Sequence, residues 1–154
     1  MALKLGSAGA KLITEIEELR LESYDDGTGT WTIGYGTTRL NGSSVSKGMK
    51  INELVAWALF YGDCQDRLDH IDKFINVELN QNQIDALVSF SYNLGKTALF
   101  QSSLRTAINS NQPINEDLFT RWNKARVNGI LTPLAGLTRR RKAEYKLFMS
   151  KEGI

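Results

Sequence analysis

Residues 24–45 interrupt the helical spacing of apolar residues that characterises the rest of the chain. This segment is rich in Gly and Thr, and its run TWTIGYGTT combines strand propensity with glycine breaks. We therefore expect a small antiparallel sheet of two or three short strands here. The chain then reads as one helix, a small sheet, a long helix and an all-helical remainder, which predicts an α+β fold.

Two helical segments flank the predicted sheet. The first covers residues 7–22, with Ser7 as its expected N-cap. The second runs from Asn52 to Ile75, with Asn52 as its cap. Its apolar residues step by threes and fours, as in a long amphipathic helix, and comprise Leu54, Ala58, Tyr61, Cys64, Leu68, Ile71 and Ile75.

The clearest helix signal follows Asn80. This residue and Gln83 have the spacing of a capping box, and Gly95 is placed to end the helix. Shorter helices are predicted over residues 103–109 and 115–124, and a last one over residues 136–149.

The chain has 154 residues and 42% hydrophobic content, which suits one compact unit. We expect a single domain over residues 1–154, with a β lobe at about 24–46 and a helical lobe at about 79–150. The connecting helix, about 52–75, should join the lobes. A groove between two lobes is a common place for a ligand.

Charge and cysteine content exclude several kinds of site. A lone cysteine permits no internal disulfide, and its apolar surroundings favour a small buried hydrophobe at Cys64. The single histidine, His70, lies among acids and reads as solvated. The pattern provides no metal-ligand set and no Cys–His pair, so no metal or cofactor is expected. Basic residues crowd the C-terminal third, and a basic face attracts polyanions such as nucleic acid, anionic lipid or acidic wall polymer.

The N-terminal residues contain no long apolar run and reach an acidic residue at Glu15. They therefore resemble neither a secretory signal nor a membrane span. We expect a protein made in the cytoplasm, which another factor must release if it acts outside.

Two carboxylates and a hydroxyl are spaced so that the chain can bring them together. Glu17 lies near the end of the first predicted helix, Asp26 in the following turn and Thr32 in the first strand. Such a set can cleave a glycosidic bond, because one carboxylic acid protonates the leaving oxygen while the other supports positive charge or directs a water. The alternative is that these acids are simply solvated, as most are.

The segment IEELRLESYDDGTGTWTIGYGTT resembles the signature of the phage-type lysozymes, an endolysin family. That signature is Glu, eight residues, Asp or Cys, five residues and Thr, which matches Glu17, Asp26 and Thr32. The blocks LNQNQIDALVSFSYNLGK, FQSSLRTAIN, RWNKA and GLTRRRKAEYKLF resemble later segments of its lambdoid-phage branch. The resemblance covers nearly the whole chain and implies a lysozyme-like fold.

The resemblance also implies an activity and a setting. The expected reaction is hydrolysis of the β-1,4 bond between N-acetylmuramic acid and N-acetylglucosamine in peptidoglycan, causing host cell lysis, with no metal or cofactor. Glu17 would be the general acid, Asp26 would direct water or support the cation, and Thr32 would position the water. The protein would act as a monomer without nucleic acid, staying in the host cytoplasm until a separate membrane-pore protein gives access to the wall.

Further site residues follow from the same resemblance. Tyr92, Asn93, Ser103 and Arg121 match positions that contact the sugar chain. Arg140 is expected to pair with Glu17 or orient it, and its neighbours in the run RRR to stay in water or meet anionic wall polymer. Two rival functions stay open: a lytic transglycosylase using Glu17 alone, and a non-catalytic binder of wall polymer or nucleic acid.

Overall fold

The structure is a computed structural model that describes residues 2–151. The order of its elements is α1 (Ser7–Ile16), β1 (Arg20–Asp25), β2 (Trp31–Gly34), β3 (Arg39–Leu40), β4 (Ser43–Ser44), α2 (Glu53–Phe74), α3 (Gln81–Leu94), α4 (Lys96–Gln101), α5 (Ser103–Asn109), α6 (Asp117–Thr120), β5 (Lys124–Val127), β6 (Ile130–Pro133) and α7 (Ala135–Met149). Helices dominate, and the strands form small antiparallel hairpins. The predicted α+β class is therefore confirmed.

The first helix is shorter than predicted. It ends at Ile16, and Glu17 is its C-cap with an extended backbone (φ −84°, ψ 107°). Residues 20–25 instead form β1, which pairs with β2 so that Tyr24 lies opposite Thr32. On the other edge of β1, the Ile51 N–H donates to the Leu21 carbonyl at 2.9 Å. Pairing on both edges overrides the helical propensity of this segment.

The N-cap of α1 also differs from prediction. Gly6, rather than Ser7, is the cap residue, and it makes no side-chain capping bond. The buried carboxylate of Asp85 on α3 accepts from the Gly6 N–H at 2.8 Å and the Gly9 N–H at 3.0 Å. A Cβ on Gly9 would lie 2.7 Å from the Asp85 Cβ. Glycine at this position therefore lets Asp85 cap α1 and tie it to α3.

The predicted caps of the two long helices are confirmed. The Asn52 side chain accepts from the Val55 N–H at 2.8 Å, and Asn80 and Gln83 form a complete capping box. The predicted stripe of α2 is wrong in its first half, since Leu54 is 79% and Tyr61 49% exposed. The buried face of α2 is instead Ala56, Phe60, Cys64, Leu68 and Ile71.

Helix α3 is enclosed by the other helices. Every residue from Ile84 to Ser91 is buried, so α3 has no solvent-facing side over this stretch. It packs against α1, α2 and α7. A helix covered on all sides can bring residues from distant segments together in one site.

The prediction of an all-helical C-terminal remainder is wrong. Helix α6 spans one turn, and Lys124, predicted at the end of a helix, begins the β5–β6 hairpin. The hairpin turns at Asn128 and Gly129, whose φ values of 51° and 79° fit a tight two-residue turn.

Predictions for two isolated residues had different outcomes. Cys64 is buried, as expected. His70 is only partly solvated, since it is half-buried and its ring centroid lies 4.8 Å from that of Phe74 and 6.3 Å from that of Phe100. Burial lowers the pKa of His70. Within residues 2–151, no helix is both long and apolar enough to cross a membrane.

Candidate active site

The Glu17 carboxylate lies at the end of α1, between Gly36, which follows β2, and Arg140 of α7. Its side chain is 27% exposed, and its Oε1 accepts from the Arg140 Nη1 at 2.9 Å. On the other side lies Gly36, where an added Cβ would come within 3.4 Å of the Glu17 Oε2. Gly36 also has a φ of 91°. Its left-handed conformation favours glycine, whereas a Cβ here would be in ordinary van der Waals contact with the Glu17 carboxylate.

Asp26 lies in the exposed turn of the β1–β2 hairpin. Its Oδ1 accepts from the Thr28 hydroxyl at 2.5 Å and from the Thr28 N–H at 2.8 Å. These two bonds, with the hydroxyl first, lower the pKa of Asp26. The lowered pKa lets Asp26 remain a carboxylate further into the acid range than an ordinary aspartate.

Thr32 lies in β2 of the same hairpin and is buried, with 5% exposure. Its hydroxyl donates weakly to the Thr30 carbonyl at 3.4 Å. Glu17, Asp26 and Thr32 thus lie in or beside one hairpin. No direct hydrogen bond joins any two of them within the described part of the chain.

Two cavities that share Thr38 and Arg39 in their walls form a groove beside the β1–β2 hairpin. One of about 380 Å³ lies beside the hairpin turn at Gly29 and Thr30, and the other of about 290 Å³ reaches Gly36 and Tyr92. Of the predicted site residues, Tyr92 lines this groove, whereas Glu17, Asp26 and Thr32 are not among its wall residues; Glu17 faces Gly36, which is one. A larger cavity of about 440 Å³, at Val77–Leu79 and α5, contains none of the predicted site residues.

Two of the predicted substrate contacts are on α3. The Tyr92 ring lines the groove beside Gly36, but its hydroxyl donates to the Tyr35 carbonyl and burial raises its pKa. The Asn93 Oδ1 accepts from the Arg141 Nη2 at 2.9 Å. Tyr92 can therefore offer its ring to a ligand, while Asn93 can offer its NH₂ group.

The other two predicted contacts, Ser103 at the start of α5 and Arg121 at the end of α6, contact each other. The Arg121 Nη1 donates to the Ser103 hydroxyl at 2.8 Å, and Arg121 also pairs with Asp117. Arg121 lines a cavity of about 350 Å³ with Leu94, Trp122, Lys124 and Leu131. These residues form a second group, with no direct contact to the Glu17 carboxylate among the described residues.

The run of three arginines separates in space. Arg140 is 3% exposed and contacts Glu17, whereas Arg139 lies on the surface. Arg141 was expected in water or on wall polymer, and this is wrong: it is fully buried, with its Nε 2.7 Å from the Glu144 Oε1. Sequence reasoning missed Glu144, although its spacing from Arg140 and Arg141 is that of a helical ion pair.

Two carboxylates and a buried hydroxyl in or beside one hairpin of an α+β fold form a candidate glycosidase site. The chain belongs to the phage lysozyme family, whose model matches residues 14–144. It is therefore a lysozyme, a glycoside hydrolase that cleaves peptidoglycan.

Individual relatives match over nearly their full length. The endolysin of Acyrthosiphon pisum secondary endosymbiont phage 1 is 37% identical over 149 residues, which covers 96% of this chain and 99% of the relative. The solved endolysin from Escherichia coli O157:H7 phage FAHEc1 is 35% identical with a TM-score of 0.89, over 97% of this chain and 95% of that one. The muramidase domain of SpmX from Asticaccaulis excentricus is 34% identical with a TM-score of 0.86, over 96% of this chain and 99% of that one.

Proposed function

We propose that the chain hydrolyses the β-1,4 bond between N-acetylmuramic acid and N-acetylglucosamine, with Glu17 as the general acid. Asp26, whose carboxylate accepts two hydrogen bonds from Thr28, supports positive charge on the sugar ring or directs the attacking water. Thr32 positions that water. The observation that carries the proposal is the half-buried Glu17 carboxylate, which accepts a hydrogen bond from Arg140 and faces Gly36 in the wall of the groove.

The substrate contacts proposed for the flanking subsites are Tyr92, Asn93, Ser103 and Arg121. Tyr92 lines the groove next to Gly36, which supports a stacking contact with a sugar. Arg121 and Ser103 are hydrogen-bonded to each other beside an open cavity, which supports a polar contact further along the chain.

Substitutions at Asp26 test the hydrolytic mechanism against the transglycosylase alternative. Asp26→Cys should keep substantial activity, because a thiol or thiolate still offers a polarisable atom near the ring and the water. Asp26→Ala should lose most activity. Thr32→Ser keeps the hydroxyl and should retain part of the rate. Thr32→Val keeps the shape of the side chain but should lose activity, because the contact with the attacking water is lost. Turbidity clearance of cell walls gives the rates, and circular dichroism confirms folding.

Full activity of both Asp26→Ala and Thr32→Val would contradict the proposal. A transglycosylase that uses Glu17 alone needs neither side chain, so that outcome would favour it.

The hydrogen bonds to Asp26 also predict a pH effect. Thr28→Ala removes the hydroxyl that contributes most to lowering the pKa of Asp26, so this pKa should rise towards its ordinary value. Because Asp26 is needed in its ionised form, activity should fall as the pH drops through the pKa of Asp26. The acid limb of the pH–rate profile should therefore move to higher pH, with little change near neutrality. The matched control is Thr106→Ala on the exposed side of α5, and an unshifted acid limb in Thr28→Ala would contradict the role of Asp26.

Surface charge on α7 should promote encounter with the wall. Arg139, Lys142 and Lys146 are exposed, and their spacing places them along one side of the helix. Changing all three to glutamate should lower the rate on whole walls about tenfold at low salt, because long-range attraction to an anionic polymer is lost. Soluble glycan fragments should be cleaved at nearly the normal rate. Equal losses on both substrates would show that these residues serve stability or catalysis instead.

The biological role we propose is host lysis by a monomer that acts on the cell wall. The endolysin relatives support this role. The chain would remain in the host cytoplasm until a separate membrane-pore protein opens a route. Expression should leave cells intact until their inner membrane is permeabilised, and lysis without permeabilisation would contradict the need for a pore.

A further inference from the structure

Glu144 on α7 is a buried carboxylate to which the mechanism above gives no role. It is 0% exposed. Its Oε2 accepts from the Ser89 hydroxyl at 2.6 Å, the Arg141 Nη2 at 3.0 Å and the Arg140 Nε at 3.4 Å. Its Oε1 lies 2.7 Å from the Arg141 Nε. Burial raises the pKa of Glu144, while the two guanidinium groups and the Ser89 hydroxyl act in the opposite direction.

The two arginines held by Glu144 point to different parts of the site. Arg140 uses its Nε for Glu144, its Nη1 for Glu17 at 2.9 Å and its Nη2 for the Ser89 carbonyl at 3.2 Å. Arg141 uses its Nη2 for both Glu144 and the Asn93 Oδ1. One buried carboxylate thus contacts two guanidinium groups, of which one reaches Glu17 and the other reaches Asn93.

A buried guanidinium needs a carboxylate partner, and its geometry is fixed when its separate edges are bonded to different groups. Glu144 and Ser89 hold two edges of Arg140, which leaves the third edge directed at Glu17. The bond from Arg141 occupies the Asn93 oxygen and so fixes the orientation of its amide. The Asn93 NH₂ is then left as a donor.

We infer that Glu144 is a positioning residue that orients Glu17 through Arg140 and the Asn93 amide through Arg141. This inference rests on the proposed function, in which Glu17 donates a proton and Asn93 contacts the sugar chain. Glu144 touches neither the substrate nor the reacting atoms. Its effects should therefore appear both in the protonation of Glu17 and in substrate affinity.

Charge balance within this cluster makes the inference testable. Arg140 and Arg141 face the carboxylates of Glu17 and Glu144, and the other polar side chains of α3 that they contact are Ser89 and Asn93, both neutral. Glu144→Gln keeps the shape but leaves one positive charge uncompensated. That excess favours the ionised form of Glu17, which cannot donate a proton.

The experiment measures kcat/KM against pH, and KM, on a soluble peptidoglycan fragment. In Glu144→Gln the alkaline fall of activity should move to lower pH by roughly one unit, and KM should rise several-fold. Glu144→Asp keeps the charge, so its alkaline limb should stay near that of the wild type. The control is Glu15→Gln, the same change in the exposed Lys11–Glu15 pair of α1, which should leave both readouts unchanged.

A second variant covers the case in which Glu144→Gln does not fold. Replacing both Glu144 and Arg141 by glutamine restores charge balance, so the alkaline limb should return towards the wild-type position. KM should stay raised, because the contact from Arg141 to Asn93 is lost. An alkaline limb near the wild-type position together with a raised KM would support two separate connections from Glu144, one to Glu17 through Arg140 and one to Asn93 through Arg141.

The inference is overturned if the folded Glu144→Gln variant has the wild-type pH profile and the wild-type KM and differs only in lower stability. Where Glu144→Gln does not fold, a wild-type KM in the double variant overturns it. Glu144 would then serve the core alone. Failure of the proposed function is distinguishable, because Glu17→Gln would then stay active whatever residue occupies position 144.

Discussion

Glu17→Gln should fold normally and lose nearly all activity, with a rate lower by on the order of 10²–10⁴-fold. The amide has almost the same shape, and its oxygen can still accept from the Arg140 Nη1, which lies 2.9 Å from the Glu17 carboxylate. It cannot donate a proton to the leaving oxygen of the glycosidic bond. Clearance of cell-wall suspensions, with thermal unfolding followed by circular dichroism, measures both properties.

The matched control for this variant is Glu15→Gln. Glu15 lies two residues earlier in α1, is exposed and pairs only loosely with Lys11 at 4.0 Å. Its substitution should leave the rate unchanged. Wild-type clearance by Glu17→Gln would mean that another residue supplies the proton, and the assignment of Glu17 would then be wrong.

Arg141→Met should have the largest effect on stability, a loss of about 3–5 kcal/mol in the free energy of unfolding. Methionine fills part of the volume, but Glu144 loses the partner 2.7 Å from its Oε1 and stays fully buried. Arg140 is then the only remaining guanidinium that contacts Glu144 within residues 2–151. Urea denaturation measures the change, provided that the unfolding free energies of the wild type and the variant depend equally steeply on urea concentration.

The neighbouring arginine offers the control for this prediction. Arg139 is exposed, so Arg139→Met should change the free energy of unfolding by less than about 0.5 kcal/mol. If Arg141→Met is as mild as Arg139→Met, the buried cluster does not depend on this ion pair. A second replacement, Glu144→Leu, in the Arg141→Met background should recover part of the loss by removing the poorly paired charge.

Sequence reasoning succeeded where the determining contacts are local. The Asn52 cap and the Asn80–Gln83 capping box join groups three residues apart, so the sequence alone specifies them. The spacing of Glu17, Asp26 and Thr32 predicted that the three residues could lie near one another. In the structure, Asp26 and Thr32 are in one hairpin and Glu17 lies just before it in the chain. The roles of these three residues remain proposals.

The failures concern contacts between distant segments. The end of α1 depends on pairing of β1 with β2 and with Ile51, and the cap of α1 comes from Asp85, more than seventy residues away. The run RRR could not indicate which arginine is buried, because this depends on Glu144 and on α3. The Asn128–Gly129 turn was different: it is a strong local hairpin signal that the sequence analysis overlooked.

The reducing ends of digested peptidoglycan, analysed by mass spectrometry after digestion in ¹⁸O-labelled water, test the central claim most directly. Hydrolysis should leave N-acetylmuramic acid with one solvent oxygen at each new reducing end, and Glu17→Gln should release none of these products. A wild-type digest of unlabelled 1,6-anhydro ends would contradict the claim, because a transglycosylase closes the sugar ring without adding water.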